Sequence, residues 1–215
     1  KYSNILIYFL TKYLEKLVLK YSDLSTSVSL RERKKIKSLY NINTILLPNG
    51  ISLNKEKMIK KEKNNYLIYT GSYFYKPNKD AIDYLNNYIM PVLIKKIPNL
   101  KLMLTGGGFN KKFTWIINKG IVKKTDLYKY IYFSKCLCVP LKFGSGTRIK
   151  ILEALCLGAI VISSKKGIEG IDIVTKNPPF IVDKKTKLIK EIINIIKNNI
   201  KLKKKAGESK KFYLK

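Results

Sequence analysis

The chain has 215 residues, 46% of them hydrophobic, and a formal net charge of +30 from 44 basic and 14 acidic side chains. That is enough apolar material for the core of one complete domain plus additional pieces. The charge invites a nucleic-acid partner, yet only Arg31, Arg33 and Arg148 are arginines, and reading phosphates or base edges favours arginine's planar fork. The lysines spread along the whole length with abundant Ile, Asn and Tyr, the pattern of genome-wide compositional drift; attraction to an anionic membrane surface is a softer reading. Three cysteines and no histidine give neither a disulfide framework nor a zinc site, and suit a reducing cytoplasm. His-based general bases and nucleophilic triads are excluded from this chain. The start at Lys1 reads as the beginning of a fragment. Residues 4–10 are apolar, but no small-residue cleavage site follows them. Lys12, Glu15 and Lys16 interrupt the stretch before the about 18 residues a membrane span needs.

In chain order, residues 1–21 place Ile5, Leu6, Phe9, Leu10, Tyr13, Leu14, Leu17 and Val18 at helical spacing. Residues 25–30 read as a short strand, 30–40 as a basic helix and 45–47 as a second strand, closed by the turn signal Pro48, Asn49, Gly50. The polar run over 51–65 reads as a hinge or linker. From Tyr66 onward, short apolar runs at 66–71, 100–107, 120–122, 136–141, 159–164 and 179–183 alternate with helical stretches at 78–97, about 110–118, 126–133, 148–157 and 185–199. Strands apolar through their length, separated by helices, predict an α/β fold with a Rossmann-like parallel sheet covered by helices on both faces. The organisation expected is therefore a first segment over 1–50, the hinge, a sheet domain over 66–200 and a loosely ordered basic tail over 201–215. In such sheets ligands bind at the carboxyl ends of the strands, and Gly71, Gly106, Gly107, Gly108, Gly144 and Gly146 fall at those ends.

The segment 139–163 carries the most chemistry. A strand ends at Leu141, the loop Gly144, Ser145, Gly146 follows, and a helix begins near Thr147 or Arg148. Glycines let backbone N–H groups approach a phosphate, and a helix N-terminus adds a positive dipole. Ser145 and Thr147 offer hydroxyls to a ligand or a cap to the helix, Arg148 and Lys150 bring fixed positive charge, and Glu153 is placed to accept from a ribose hydroxyl pair. Taken alone, the same residues read first as a capped helix with a solvated basic first turn. Gly106 to Gly108 would likewise serve as a tight turn after a strand, Asp126 as a helix N-cap and Glu169 as a loop acid at the same sheet edge.

Five ordered blocks separate these readings. LPNGIS, TGSYFYKPNKDAIDYLNNYIMPVL, IPNLKLMLTGGG, GIVKKTDLYKYIYFSKCLCVPL and GSGTRIKILEALCLGAIVIS with GIEGI resemble, in order, successive segments of the group 1 (family-4-like) retaining glycosyltransferases of GT-B fold. Upstream, SVSLRERKKI resembles the end of that family's N-terminal domain. The resemblance implies the C-terminal, donor-binding half of a GT-B enzyme that moves a sugar from a nucleoside-diphosphate donor to a glycan, lipid or protein acceptor, with retention of configuration. By this match Glu153 contacts the donor ribose. Gly144, Ser145, Gly146 and Thr147 lie beside the donor sugar and diphosphate, with Arg148 and Lys150 as basic positions of the same signature. Gly71 and Lys76 belong to a loop that helps hold the diphosphate, Gly106 and Gly107 to the second glycine loop, and Val122 to the place where the backbone meets the nucleobase.

Two features depart from the family pattern. A second glutamate, eight residues before the ribose-contacting one in many members, is Ser145 here, as is common in the branch with G-S-G-T-R-x-K. The N-terminal acceptor-side domain expected before residue 1 is represented only by its end. No Asp-x-Asp motif occurs, so no metal or other cofactor is expected, and the leaving diphosphate would be stabilised by Arg148, Lys150, Lys76 and the helix N-terminus. The expected location is the cytoplasm, with peripheral contact at the inner face of the cell membrane. The competing readings are a non-catalytic basic module for nucleic acid or anionic membrane, which the scarcity of arginine and the glycine blocks disfavour, and a non-transferring GT-B relative such as an epimerase, which would ordinarily use histidine.

Overall fold

Runs of β-branched and aromatic residues alternate with helical periods along this chain, and the fold follows them. The computed structural model describes residues 2–51, 64–171 and 179–210, which divide into two units, Lys1–Gly50 and Ile51–Lys215. In the first unit, helix α1 (Tyr2–Tyr21) precedes strand β1 (Thr26–Ser27), helix α2 (Leu30–Tyr40) and strand β2 (Ile45–Leu46). The two strands pair in parallel, Thr26 with Ile45 and Ser27 with Leu46, and α2 is their crossover. Its start is fixed reciprocally: Ser29 Oγ accepts from the Glu32 amide at 3.2 Å while Glu32 Oε2 accepts from the Val28 amide at 3.3 Å. Asn41, at φ 57°, ends the helix in the left-handed conformation. No described helix is long and apolar enough to cross a membrane.

The second unit is a six-stranded, all-parallel sheet. Its strands are β3 (Tyr66–Thr70), β4 (Lys101–Thr105), β5 (Ile116–Asn118), β6 (Leu137–Val139), β7 (Val161–Ser163) and β8 (Phe180–Ile181), in the spatial order β5-β4-β3-β6-β7-β8. Helix α3 (Lys76–Tyr84) runs through a π-helical turn at Leu85–Ile89 into α4 (Met90–Lys96) and connects β3 to β4. Helix α5 (Lys124–Phe133) carries the chain back to β6, and α6 (Ile149–Cys156) leads on to β7. Because parallel crossovers are right-handed, the connection from β3 toward β4 and the connection from β6 toward β7, which step in opposite directions, lie on opposite faces. Leu67, Ile68 and Tyr69 of β3 and Leu137, Cys138 and Val139 of β6 are buried under both layers.

Three expectations are corrected. The stretch 110–118 is not a helix: Ile116–Asn118 is strand β5, pairing Leu102 with Ile116 and Leu104 with Asn118. The spacing of Phe113, Ile116 and Ile117 imitates a helical period. The stretch is too short for a helix to offset its nucleation, and its β-branched pair finds an unsatisfied edge on β4. Residues 120–122, expected as a strand, are the loop after β5, with Ile121 exposed. The residues after Leu202 are not a loose tail as far as Ser209. Helices α7 (Lys185–Lys197) and α8 (Asn199–Ser209) follow one another, with Leu202 and Ala206 packed on the core. Asn199 donates to the Lys135 carbonyl at 3.0 Å, and Lys203 Nζ to the Tyr132 carbonyl at 2.8 Å. Residues 52–63 of the expected hinge and 211–215 of the tail lie outside the described residues.

The carboxyl ends of β3 and β4 touch through their backbones. Gly71 N donates to the Thr105 carbonyl at 2.9 Å, and a Cβ on Gly106, whose φ is +109°, would lie 2.5 Å from the Gly71 carbonyl carbon and oxygen. Both the contact and the dihedral therefore require glycine there. Gly106→Ala should destabilise the fold by about 3 kcal/mol, read as a lower midpoint in urea unfolding. A change below about 1 kcal/mol would show that the two loops separate freely.

Candidate functional site

The strand order reverses between β3 and β6, so their connections leave the sheet on opposite sides and open a crevice at the carboxyl edge. Two loops border it, residues 71–75 after β3 and 140–148 after β6. Lys150, on the first turn of α6, reaches across: its Nζ donates to Asn78 Oδ1 on α3 at 3.0 Å and lies 4.3 Å from the centre of the Tyr69 ring. The Tyr69 hydroxyl donates to the same Asn78 oxygen at 2.8 Å, and Asn78 Nδ2 donates to the Ser72 carbonyl at 3.0 Å. A Cβ at Gly71 would stand 2.7 Å from Asn78 Nδ2 and 2.8 Å from Lys150 Nζ. The absence of a side chain at Gly71 is what lets the ammonium lie against the end of β3. Burial, and after it the Arg148 charge, push the Lys150 ammonium down to about 7, with Glu153 opposing.

Helix α6 begins without a side-chain cap; Arg148 occupies the cap position. Its Nη1 donates to the carbonyls of Ser145 and Gly146, folding the guanidinium back over the glycine loop. Its Nη2 is buried with no hydrogen-bond partner, as is Thr147 Oγ1. Buried donors left unmade at a helix N-terminus are costly unless a ligand accepts from them, and the group they suit is an anion. Glu153 lies one turn below Lys150. Burial raises its carboxyl, while the Tyr128 hydroxyl, donating to Oε1 at 3.2 Å, and the charges of Lys124 and Lys150 act the other way.

A sequence model of the family described as glycosyl transferases group 1 matches residues 64–198, more than half of the chain and all of the crevice. The chain belongs to the group 1 glycosyl transferases. A Klebsiella pneumoniae relative, described as an uncharacterized 44.6 kDa protein in the cps region, is 25% identical over 147 residues, 63% of this chain and 38% of that protein. Among solved structures, TarM of S. aureus superposes with a TM-score of 0.75 at 11% identity, covering 95% of this chain and 42% of TarM. HepE of Anabaena, solved with UDP-glucose, gives 0.68 at 13% identity, covering 92% of this chain and 60% of HepE. WaaG, described as a glycosyltransferase involved in lipopolysaccharide biosynthesis, gives 0.68 at 15%, covering 87% of this chain and 57% of WaaG. The chain thus spans less than two thirds of each of these proteins, and at these identities the solved structures establish the fold.

Within this glycosyl transferase fold, the expected site residues separate into groups. Gly71, Lys150 and the Arg148 loop, with Gly144, Ser145, Gly146 and Thr147, border the crevice, and Glu153 follows on α6. Gly106 and Gly107 stand next to it, since the Tyr73 amide donates to the Gly107 carbonyl at 2.8 Å. Val122 lies in the loop between β5 and α5. Lys76 is exposed at the first position of α3 and takes no part in the Tyr69–Asn78–Lys150 network. Asp126 falls inside the first turn of α5, whose cap position is Lys123. Glu169 pairs with Lys166 at 2.6 Å beside a separate cavity of ≈ 480 Å³ between the ends of β6, β7 and β8. Sequence reasoning missed Asn78, Tyr69 and Tyr128. The one available signal was Asn78, a polar residue on the inward face of an amphipathic helix start.

A partly buried cation held only by neutral contacts costs the fold stability, and the sign follows from its titration. Below about 7 both folded and unfolded chains carry the proton, so the fold bears the whole burial cost; between there and the ordinary value of 10.5 that cost shrinks. Lys150→Met should therefore stabilise the protein by about 1–3 kcal/mol below neutral pH, and progressively less as pH rises. Urea unfolding at several pH values measures this, and a destabilised variant at every pH would contradict it.

Proposed function

We propose that this crevice holds the nucleoside diphosphate of a sugar donor, and that the protein transfers that sugar to an acceptor with retention of anomeric configuration. One observation carries the reading. Lys150 Nζ and the unpartnered buried donors of Arg148 and Thr147 gather at the uncapped start of α6, with a half-buried carboxylate, Glu153, one turn further on. A diphosphate accepts from the first set, and a ribose hydroxyl pair donates to the second. The HepE and TarM structures that contain UDP-glucose or UDP make uridine nucleotides the first probes.

Breaking the anomeric bond places negative charge on the departing diphosphate. Donors already fixed at that place stabilise the charge more as it develops than before, which lowers the barrier. In this reading Lys150 and Arg148 carry that role, and Lys76 adds a third cation from the rim. The loops with Gly106, Gly107 and Val122 border the nucleobase end. The reaction runs without a metal ion, because the side-chain cations supply the positive charge a metal would bring. Retention follows the family pattern that the glycine loop and Glu153 resemble.

Calorimetric titration of the chain with uridine and UDP separates the roles. Glu153→Gln should weaken both ligands alike, by about 1.5–3 kcal/mol for a lost charged hydrogen bond. Arg148→Ala should weaken UDP by a similar amount and leave uridine unchanged. Absence of UDP binding to the folded wild-type chain would sink the assignment, and equal loss of uridine in Arg148→Ala would move Arg148 to a structural role.

Metal independence has its own measurement. UDP affinity in EDTA should stay within about threefold of that in Mg²⁺, less than the about 1.4 kcal/mol that a tenfold change represents. Binding only in the presence of Mg²⁺ or Mn²⁺ would refute it.

A further inference from the structure

Asn78 is buried at the start of α3, and its amide is committed to three different parts of the fold. Oδ1 accepts from Tyr69 of β3 and from Lys150 of α6, and Nδ2 donates to the Ser72 carbonyl in the loop after β3. These bonds fix which way the amide faces. Turned over, its NH₂ group would meet an ammonium and a hydroxyl already donating, and its oxygen would meet a carbonyl. Lys150 is thus gripped by an amide oxygen on one side and by the Tyr69 ring on the other. Neither group carries net charge. A neutral grip orients an ammonium but cancels none of its charge, whereas a carboxylate in the same place would orient it and neutralise it as well.

The charged and titratable groups around Lys150 fit this arrangement. Arg148 and Glu153 act on it from its own helix, and the Tyr69 hydroxyl from β3 is engaged with Asn78. The Glu153 carboxylate is held one turn away by Tyr128, with Lys124 near it from α5. Asp80, on α3, is paired with Lys142 at 3.6 Å. Asp80 Oδ2 has no hydrogen-bond partner beyond that ion pair, but neither acid touches the Lys150 ammonium, whose own contacts are neutral.

We infer that Asn78, supported by Tyr69, is a positioning residue that holds the Lys150 ammonium at the reversal of strand order through neutral contacts, leaving its full charge for the diphosphate of the bound nucleotide. This rests on the reading of the crevice as a diphosphate site. A neutral grip also makes the ligand the compensating charge, so an arriving diphosphate favours the protonated lysine. Affinity then falls as pH rises through neutrality, over a range in which the nucleotide's own terminal phosphate, with a second pKa of about 6, no longer changes charge.

Two substitutions test this through two readouts. Asn78→Asp places a carboxylate against Lys150, and Asn78→Leu fills the buried position with an apolar side chain and removes the acceptor. The first readout needs no ligand: acylation of Lys150 by acetic anhydride across pH, followed by mass spectrometry of the Lys150 peptide. The labelling midpoint should rise by at least about one pH unit in Asn78→Asp and fall in Asn78→Leu, opposite directions that a merely structural asparagine would not produce. The second readout is UDP affinity of the full chain by calorimetry. Both variants should bind at least about tenfold more weakly, and the decline of affinity with rising pH should disappear in Asn78→Asp. An unmoved Lys150 midpoint in both variants, or wild-type UDP affinity in either, would overturn the role of Asn78 while leaving the diphosphate site standing. Failure of the wild-type chain to bind UDP would instead overturn the diphosphate reading, and this role with it.

Discussion

Strand β3 pairs in parallel with β4 on one side and with β6 on the other, and from that pairing most of the carboxyl edge follows. Parallel neighbours need crossovers, and right-handed crossovers stepping in opposite directions lie on opposite faces. The starts of α3 and α6 are thereby brought to the two sides of one gap, close enough for Lys150 to bond Asn78 across it. The glycines at the gap are consequences of the same pairing. With β3 and β4 in register from Tyr66 and Lys101 to Thr70 and Thr105, the next residues, Gly71 and Gly106, meet backbone to backbone.

The crevice is also where the fold works against its own stability. Among the other described residues of the second unit, buried polar atoms have hydrogen-bond partners, as where Ser164 Oγ donates to the Leu141 carbonyl and accepts from the Gly167 amide, with Asp80 Oδ2 the exception. At the start of α6 the pattern breaks. An ammonium is held by neutral groups, a guanidinium nitrogen and a threonine hydroxyl lack partners, and the helix has no side-chain cap. Local departures of this kind concentrate where a ligand completes the structure. Their coincidence within four consecutive residues, Thr147 to Lys150, is the physical reason to place the chemistry there and not at the cavity by Glu169, where Lys166 and Glu169 already pair with each other.

The large positive charge is a poor guide by comparison. Most of the described lysines lie on exposed helix faces, while Lys150 is a partly buried one whose surroundings depress its proton affinity. Net charge describes how the protein behaves toward polyanions in general. A cation that the fold has removed from water is worth more to an anion than one on the surface.

The sequence by itself determined the parallel α/β sheet, the family and the glycine loop ahead of α6, because apolar runs, helical spacing and glycine positions are local signals read within a few residues. It also singled out Arg148, Lys150 and Glu153, which fall within six consecutive residues at the start of α6 and need no distant partner to be noticed. Where pairing is non-local it misled. Residues 116–118 became a strand because β4 offered an open edge, and the chain after Leu202 became a helix because Lys135, Tyr132 and the core were there to hold it. Only the tertiary structure decided what Lys150 touches. Its partner Asn78 stands 72 residues earlier in the chain and Tyr69 lies inside a strand that reads as plain core. The two meet Lys150 only because strand order reverses between β3 and β6, a property of the whole sheet that no local window contains.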